Sequence, residues 1–142
     1  MRVVYRFSPE HKLVLAEFSG DIGTERFIES YADAKRVVDA TGAVCAIADF
    51  SAASLSTIRA NTILSLASSP PVIADSGMRC VVAPADYMFG ITRMFQIVTG
   101  RDMHICRSLA EAYKALGITE PAQYQVIDVG PNDRIILPEA IT

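Results

Sequence analysis

The densest group of oxygen-bearing side chains in the sequence is Asp49, Ser51, Ser54, Ser56 and Thr57. It follows an apolar run at residues 44–50 (VCAIADF), which reads as a central strand, and it leads into a helical pattern. In open α/β sheets, ligands bind beyond the carboxyl ends of strands. The unpaired N–H groups of a helix start favour anions. The group therefore points to a small-molecule or phosphate site, with Ser56 and Thr57 as candidate phospho-acceptors. Short hydroxyl side chains at such a junction also serve as plain caps and turns, and that reading stands beside the first.

A second group spans residues 84–93. Asp86 is placed to cap a helix, and Gly90 permits close packing against a neighbour. Arg93 is the lone cation on an otherwise apolar helical stretch. It must reach solvent at the helix edge, an acidic partner or an anionic ligand. Tyr87, Met88, Phe89, Gly90, Met94 and Phe95 are the candidate interface residues, because apolar positions nearly encircle this helix.

Little else could carry a reaction. His11 falls in a turn and is expected in solvent; His104 lies in a strand. An Asp49, Ser51 and His104 triad would need converging strand ends. The sequence has no GxSxG, HExxH, P-loop or GxGxxG pattern. Glu10, His11, Glu17 and Asp21 lack metal-ligand spacing. No catalytic residue, metal or cofactor is assigned. Cys45, Cys80 and Cys106 each sit in an apolar run without a CxxC pair, and read as buried hydrophobes in a reducing compartment. The N-terminal stretch MRVVYRFSPE lacks the pattern of a signal peptide, so a cytoplasmic protein is expected.

The chain has 142 residues, about one domain. Hydrophobic types make up 51% and charged types 20%, which excludes a disordered chain. Thirteen Lys and Arg against sixteen Asp and Glu give −3, so no broad nucleic-acid surface is expected. The longest uncharged stretch, residues 60–74, is too short and polar to span a bilayer. A mean hydropathy of +0.28 suggests apolar surface buried between two copies of the chain, or simply a generous core.

The elements that position these residues follow from periodicity. Residues 3–7 and 13–18 read as strands joined by a turn. In the second strand Leu13, Leu15 and Glu17 face one way, and Val14, Ala16 and Phe18 the other. Thr24 is expected to cap a helix carrying Phe27, Ile28, Tyr31, Ala34 and Val38 inward and ending at Gly42. After the strand at 44–50, Ser51, Ala52, Ala53 and Ser54 read as a loop. A helix at 56–67 has Ile58, Thr62, Ile63 and Leu66 inward. A strand at 80–83, a helix at 86–99, a strand at 103–107 and a helix capped by Ser108 and stopped by Gly117 follow. Residues 124–129 and 134–137 read as two short strands. They form a hairpin on the domain edge or an arm reaching a second subunit. The expected class is α/β, ordered ββαβαβαβα, with a mostly parallel sheet and an antiparallel N-terminal hairpin.

This order, with Asp49-Phe50-Ser51 closing the first central strand, resembles the STAS domains, the SpoIIAA-like fold of bacterial anti-sigma-factor antagonists. The stretch from Val81, Val82, Ala83, Pro84, Ala85 and Asp86 through Phe89, Gly90 and Arg93 to Phe95 resembles small bacterial proteins grouped as STAS/SEC14-like. The resemblance covers residues 3–117, giving a domain at 1–117 and an extension at 118–142 on that domain or on a dimer partner. It implies a regulatory, non-enzymatic protein-interaction module, expected as a homodimer with a possible protein partner. The family's phospho-acceptor position falls at Ser56 or Thr57, but the acid before it and the glycine after it are absent here. The SEC14-like side implies a small-molecule or lipid binder instead. Its cavity is expected between the third helix and the sheet, lined by Met88, Phe89, Met94 and Phe95.

Overall fold

The computed structural model describes residues 2–54, 58–66, 71–73, 77–130 and 134–137. Ser56 and Thr57 lie outside the described residues. The elements run β1 (Arg2–Ser8), β2 (Leu13–Asp21), α1 (Thr24–Thr41), β3 (Cys45–Ser54), α2 (Ala60–Ser65), β4 (Met78–Val82), α3 (Asp86–Thr99), β5 (His104–Cys106), α4 (Leu109–Leu116), β6 (Gln125–Val129) and β7 (Ile135–Ile136). The expected order ββαβαβαβα is observed as far as α4.

The sheet has seven strands in the order β5-β4-β3-β2-β1-β6-β7. β2, β3, β4 and β5 are mutually parallel, and β1 is antiparallel to β2. Helical crossovers make the parallel part, as the alternation of apolar strands and amphipathic helices demands. β6 pairs antiparallel with β1, register Tyr5 with Ile127, and β7 pairs with β6.

The pleat divides the core. Val14, Ala16 and Phe18 face one layer with Tyr5, Phe7, Val37, Val38, Phe50 and Met88. Leu13 and Leu15 face the other with Cys45, Ile47, Cys80, Val82, Cys106, Ala112 and Leu116. α1 and α3 thus cover one face of the sheet and α4 the other. The thiols of Cys45, Cys80 and Cys106 are free and buried on the α4 face. Burial pushes all three up, Cys80 to about 12.

Three local expectations are corrected. Thr24 is the first helical residue of α1; Gly23 is the N-cap and makes no side-chain cap bond. Asp86 likewise opens α3 behind Ala85, so it acts on the helix dipole rather than as the cap. Residues 51–54 are strand, not loop: Ser19, Gly20 and Asp21 of β2 pair with Ala52, Ala53 and Ser54 after a shift of register. Backbone pairing to a long neighbour overrides the turn-like composition. By contrast, Ser108 caps α4, its hydroxyl accepting from Glu111 N at 3.2 Å. Gly42 and Gly117 close α1 and α4 in the left-handed conformation.

Candidate functional site

A cavity of about 180 Å³ lies between α1, α3 and the sheet. Its origin is visible in the residue types. Ala16 on β2, Ala46 and Ala48 on β3 and Ala34 on α1 all line it. A larger side chain at any of these positions would fill part of the space. Phe18, Phe27, Phe50, Ile91, Phe95 and Met103 are among the larger apolar side chains of its wall. The rings of Phe18 and Phe50 stack with centroids 4.4 Å apart. On α1, Tyr5 Oη donates to the Ser30 carbonyl at 2.9 Å, tying the helix to β1 beside the cavity.

The polar lining is basic. Arg101, in the connection from α3 to β5, donates from Nη1 to Tyr31 Oη on α1 at 2.8 Å. Its guanidinium stands 5.7 Å from the centre of the Phe95 ring. The connection is held by Gln96 Nε2, which donates to the Met103 carbonyl at 2.9 Å. Arg79 enters from β4 and donates to the Ile73 carbonyl at 3.2 Å. Both arginines line the cavity, and none of the described residues lining it is Asp or Glu. Guanidinium stays charged at any physiological pH, so both side chains stand at the cavity wall as cations.

Asp49 belongs to the opposite face. It shares the α4 side of β3 with Cys45 and Ile47, in register beside Glu17 of β2. Its carboxylate accepts from Ser51 N at 2.9 Å and Ser51 Oγ at 2.5 Å, a local turn bond of the capping kind. Glu17 is paired with Arg6 Nε at 2.5 Å. Nearby, the hydroxyls of Tyr113 and Tyr124 meet at 2.6 Å, and burial raises both phenols. Ser54 faces the other helix layer, its hydroxyl 3.4 Å from Tyr87 Oη at the start of α3.

The candidate residues are therefore split among separate places. Arg93 is exposed on the outer side of α3, while Asp49 faces α4, so no single cleft joins them. Of the four residues expected around the cavity, Phe95 lines it; Met88, Phe89 and Met94 do not. Met88 is fully buried in the core. Phe89 lies under the Arg107 guanidinium, 4.1 Å from its ring centre. Helical geometry turns Met94 away, because it stands one turn after Gly90 on the outer side. Ile91 and Thr92 take the inward places. His104 pairs with Cys80 on β4, which separates it from the Asp49 and Ser51 pair on β3. Among the described residues no group of three His, Cys, Asp or Glu is placed to hold a metal ion, and no helix is long and apolar enough to cross a membrane.

From the sequence, Tyr31 stands out only as an inward position of the first helix, and Arg79 and Arg101 do not stand out. Arg79 left a signal, as a charge inside the buried strand MRCVV. Arg101 left only its place directly after the helix-closing Gly100.

No protein-family model matches this chain, and no curated protein matches it. Among solved structures it is similar to the anti-sigma factor antagonist SpoIIAA in its unphosphorylated form. That likeness has 13% identity and a TM-score of 0.49, and spans 80% of this chain and 96% of that one.

Proposed function

We propose that this chain is a non-enzymatic STAS-like regulatory module that acts through protein contact, and that the outer side of α3 joins two copies of it. The observation that carries this reading is the apolar surface left on α3. Tyr87, Ile97 and Val98 are 45%, 72% and 55% exposed. Gly90, Met94 and Ile97 follow the i, i+4, i+7 spacing of a helix-packing seam. Among the described residues, a Cβ added at Gly90 would meet nothing within 4 Å, so none of them needs the glycine there. A second helix crossing at Gly90 would use that room. A twofold pair buries the same patch on both copies. Arg93 then flanks the seam as a solvated or paired cation.

Pairing of β6 with β1 supports reading residues 118–142 as an extension packed on its own 1–117 domain. Three free buried thiols fit a reducing compartment, and the chain is read as cytoplasmic. Sedimentation velocity tests the contact. Wild type is expected to run as a dimer, and Ile97→Asp as a folded monomer, because an unpaired carboxylate would be buried in the seam. A wild-type monomer at high concentration would contradict the reading.

A second reading, a small-molecule binder, is favoured by one observation: the alanine-lined cavity beside Tyr31 and Arg101.

A further inference from the structure

Alanines make the floor of the cavity. Ala16 of β2 and Ala48 of β3 are register partners, and Ala46 stands two residues earlier on the same face of β3. Ala34 lines the same space from α1. Ala46 and Ala48 are only half-buried, although β3 is the third of seven strands and helices cover this face. The volume of about 180 Å³ exceeds the roughly 150 Å³ of an engineered apolar cavity that stays dry and binds benzene. One wall is aromatic: the Phe27 ring stands 6.4 Å from the Phe50 ring and extends the stack of Phe18 on Phe50. Such a wall receives a further ring at a face or an edge.

The described polar side chains of the lining are engaged within the protein. Ser30 Oγ donates to the Phe27 carbonyl at 2.6 Å, and Thr92 Oγ1 to the Met88 carbonyl at 2.8 Å. Arg101 holds Tyr31, and Arg79 holds the Ile73 carbonyl. A carboxylate, amine or hydroxyl entering here would lose its water and meet groups already bonded elsewhere, which is costly. A hydrocarbon surface carries no such cost.

We infer that this cavity binds a small neutral apolar molecule built on a single aromatic ring, held by the alanine floor and the phenylalanine wall without a hydrogen bond to the protein. The inference rests on the ligand-binding reading and names the class of ligand. A ring in this space gives the alanine methyls and the phenylalanine faces the contact atoms they lack.

The test is NMR titration of the full chain, isotope-labelled at its alanine methyl groups, with toluene and with benzoate. The two share a ring and differ in a methyl against a carboxylate. A bound ring shifts the methyl resonances next to it, so the readout gives the place of binding as well as the affinity. Toluene is expected to shift the Ala16, Ala34, Ala46 and Ala48 methyls to saturation. Ala112, buried on the α4 face of the sheet, should not move. Benzoate is expected to bind about tenfold weaker or more, because its carboxylate must be desolvated. Ala34→Leu, which fills the space, should weaken toluene about tenfold or more. The wild-type shifts carry the placement should that variant not fold. If toluene shifts none of the four methyls, the ligand-binding reading fails and the inference with it. If benzoate binds as tightly as toluene or tighter, the cavity stands as a site and the neutral, apolar assignment is overturned. Toluene shifts as large at Ala112 as at the four, or undiminished affinity in folded Ala34→Leu, would overturn the placement.

Discussion

The guanidinium of Arg107 lies 4.1 Å from the centre of the Phe89 ring, and its Nη1 donates to Asp86 at 2.7 Å. Arg107 and Asp86 are 21 residues apart, yet parallel β4 and β5 deliver them to the same end of the sheet. The same nitrogen donates to the Pro84 carbonyl at 3.0 Å. Arg107 thus pins the start of α3, the helix on which both the cavity and the proposed contact depend. Asp86 is almost fully exposed, so the ion pair itself contributes little. The ring contact and the carbonyl bond carry more. Arg107→Ala is expected to cost about 1 to 1.5 kcal/mol in urea unfolding, and Asp86→Asn about 0.5. The reverse order would contradict this division.

Capping distinguishes two helices that look alike in sequence. Ser108 caps α4, whereas Thr24 sits inside α1 behind Gly23. Ser108→Ala should cost about 1 kcal/mol. Thr24→Ala should stay within about 0.5 kcal/mol. Equal losses in the two variants would show Thr24 to be a cap after all.

The difference shows what the sequence discloses. Period-two alternation in β2 separated its two faces and suggested that one of them is only partly covered; helices bury both, with Val14, Ala16 and Phe18 in one layer and Leu13 and Leu15 in the other. α3 and α4 were legible to the residue, since their ends carry their own signals: Asp86 at the start, Gly100 and Gly117 at the stops. Residues 51–54 misled because their strand character comes from pairing with Ser19, Gly20 and Asp21 of β2, 33 residues earlier, and not from their own types. The site was less legible. Asp49 and Arg93 stood out by type, but the pleat and the helix turn send them to different surfaces. Arg101 meets Tyr31 across 70 residues, and no local pattern encodes such a pairing.

The alanines around the cavity make a prediction about stability alone. Ala34→Leu adds a good helix former to α1 and places its side chain in empty space. Filling of this kind is expected to stabilise by about 0.5 to 2 kcal/mol, read as a higher thermal midpoint. A loss of about 1 to 3 kcal/mol would mean the space is already closed.

Alkaline pH tests the buried protons. Burial raises the Cys45, Cys80 and Cys106 thiols and the Tyr5, Tyr113 and Tyr124 phenols in the folded chain. The unfolded chain gives up these protons first, near the ordinary thiol value of 9.0 and phenol value of 10.0. Stability from these groups is therefore fully present below those values. It is lost as pH rises toward the folded value of Cys80, about 12. The urea midpoint should be flat between about pH 6 and 8 and fall from about pH 9 upward. The fall should be shallower in Cys80→Ala. A midpoint that does not move by about pH 10.5 would contradict the burial of these groups.

The contact between copies is most directly tested by cross-linking Gly90→Cys. A close twofold crossing at this position brings the two Cα atoms of the introduced cysteines within the ~4.4–6.8 Å separation that a disulfide needs. The native cysteines are buried, which leaves the introduced one as the reactive thiol. Mild oxidation is expected to convert Gly90→Cys into a covalent dimer of twice 15.4 kDa that reverts on reduction, while wild type and exposed Val44→Cys stay unlinked. A Gly90→Cys protein that stays monomeric under the same oxidation, or links no faster than Val44→Cys, would contradict the α3 contact.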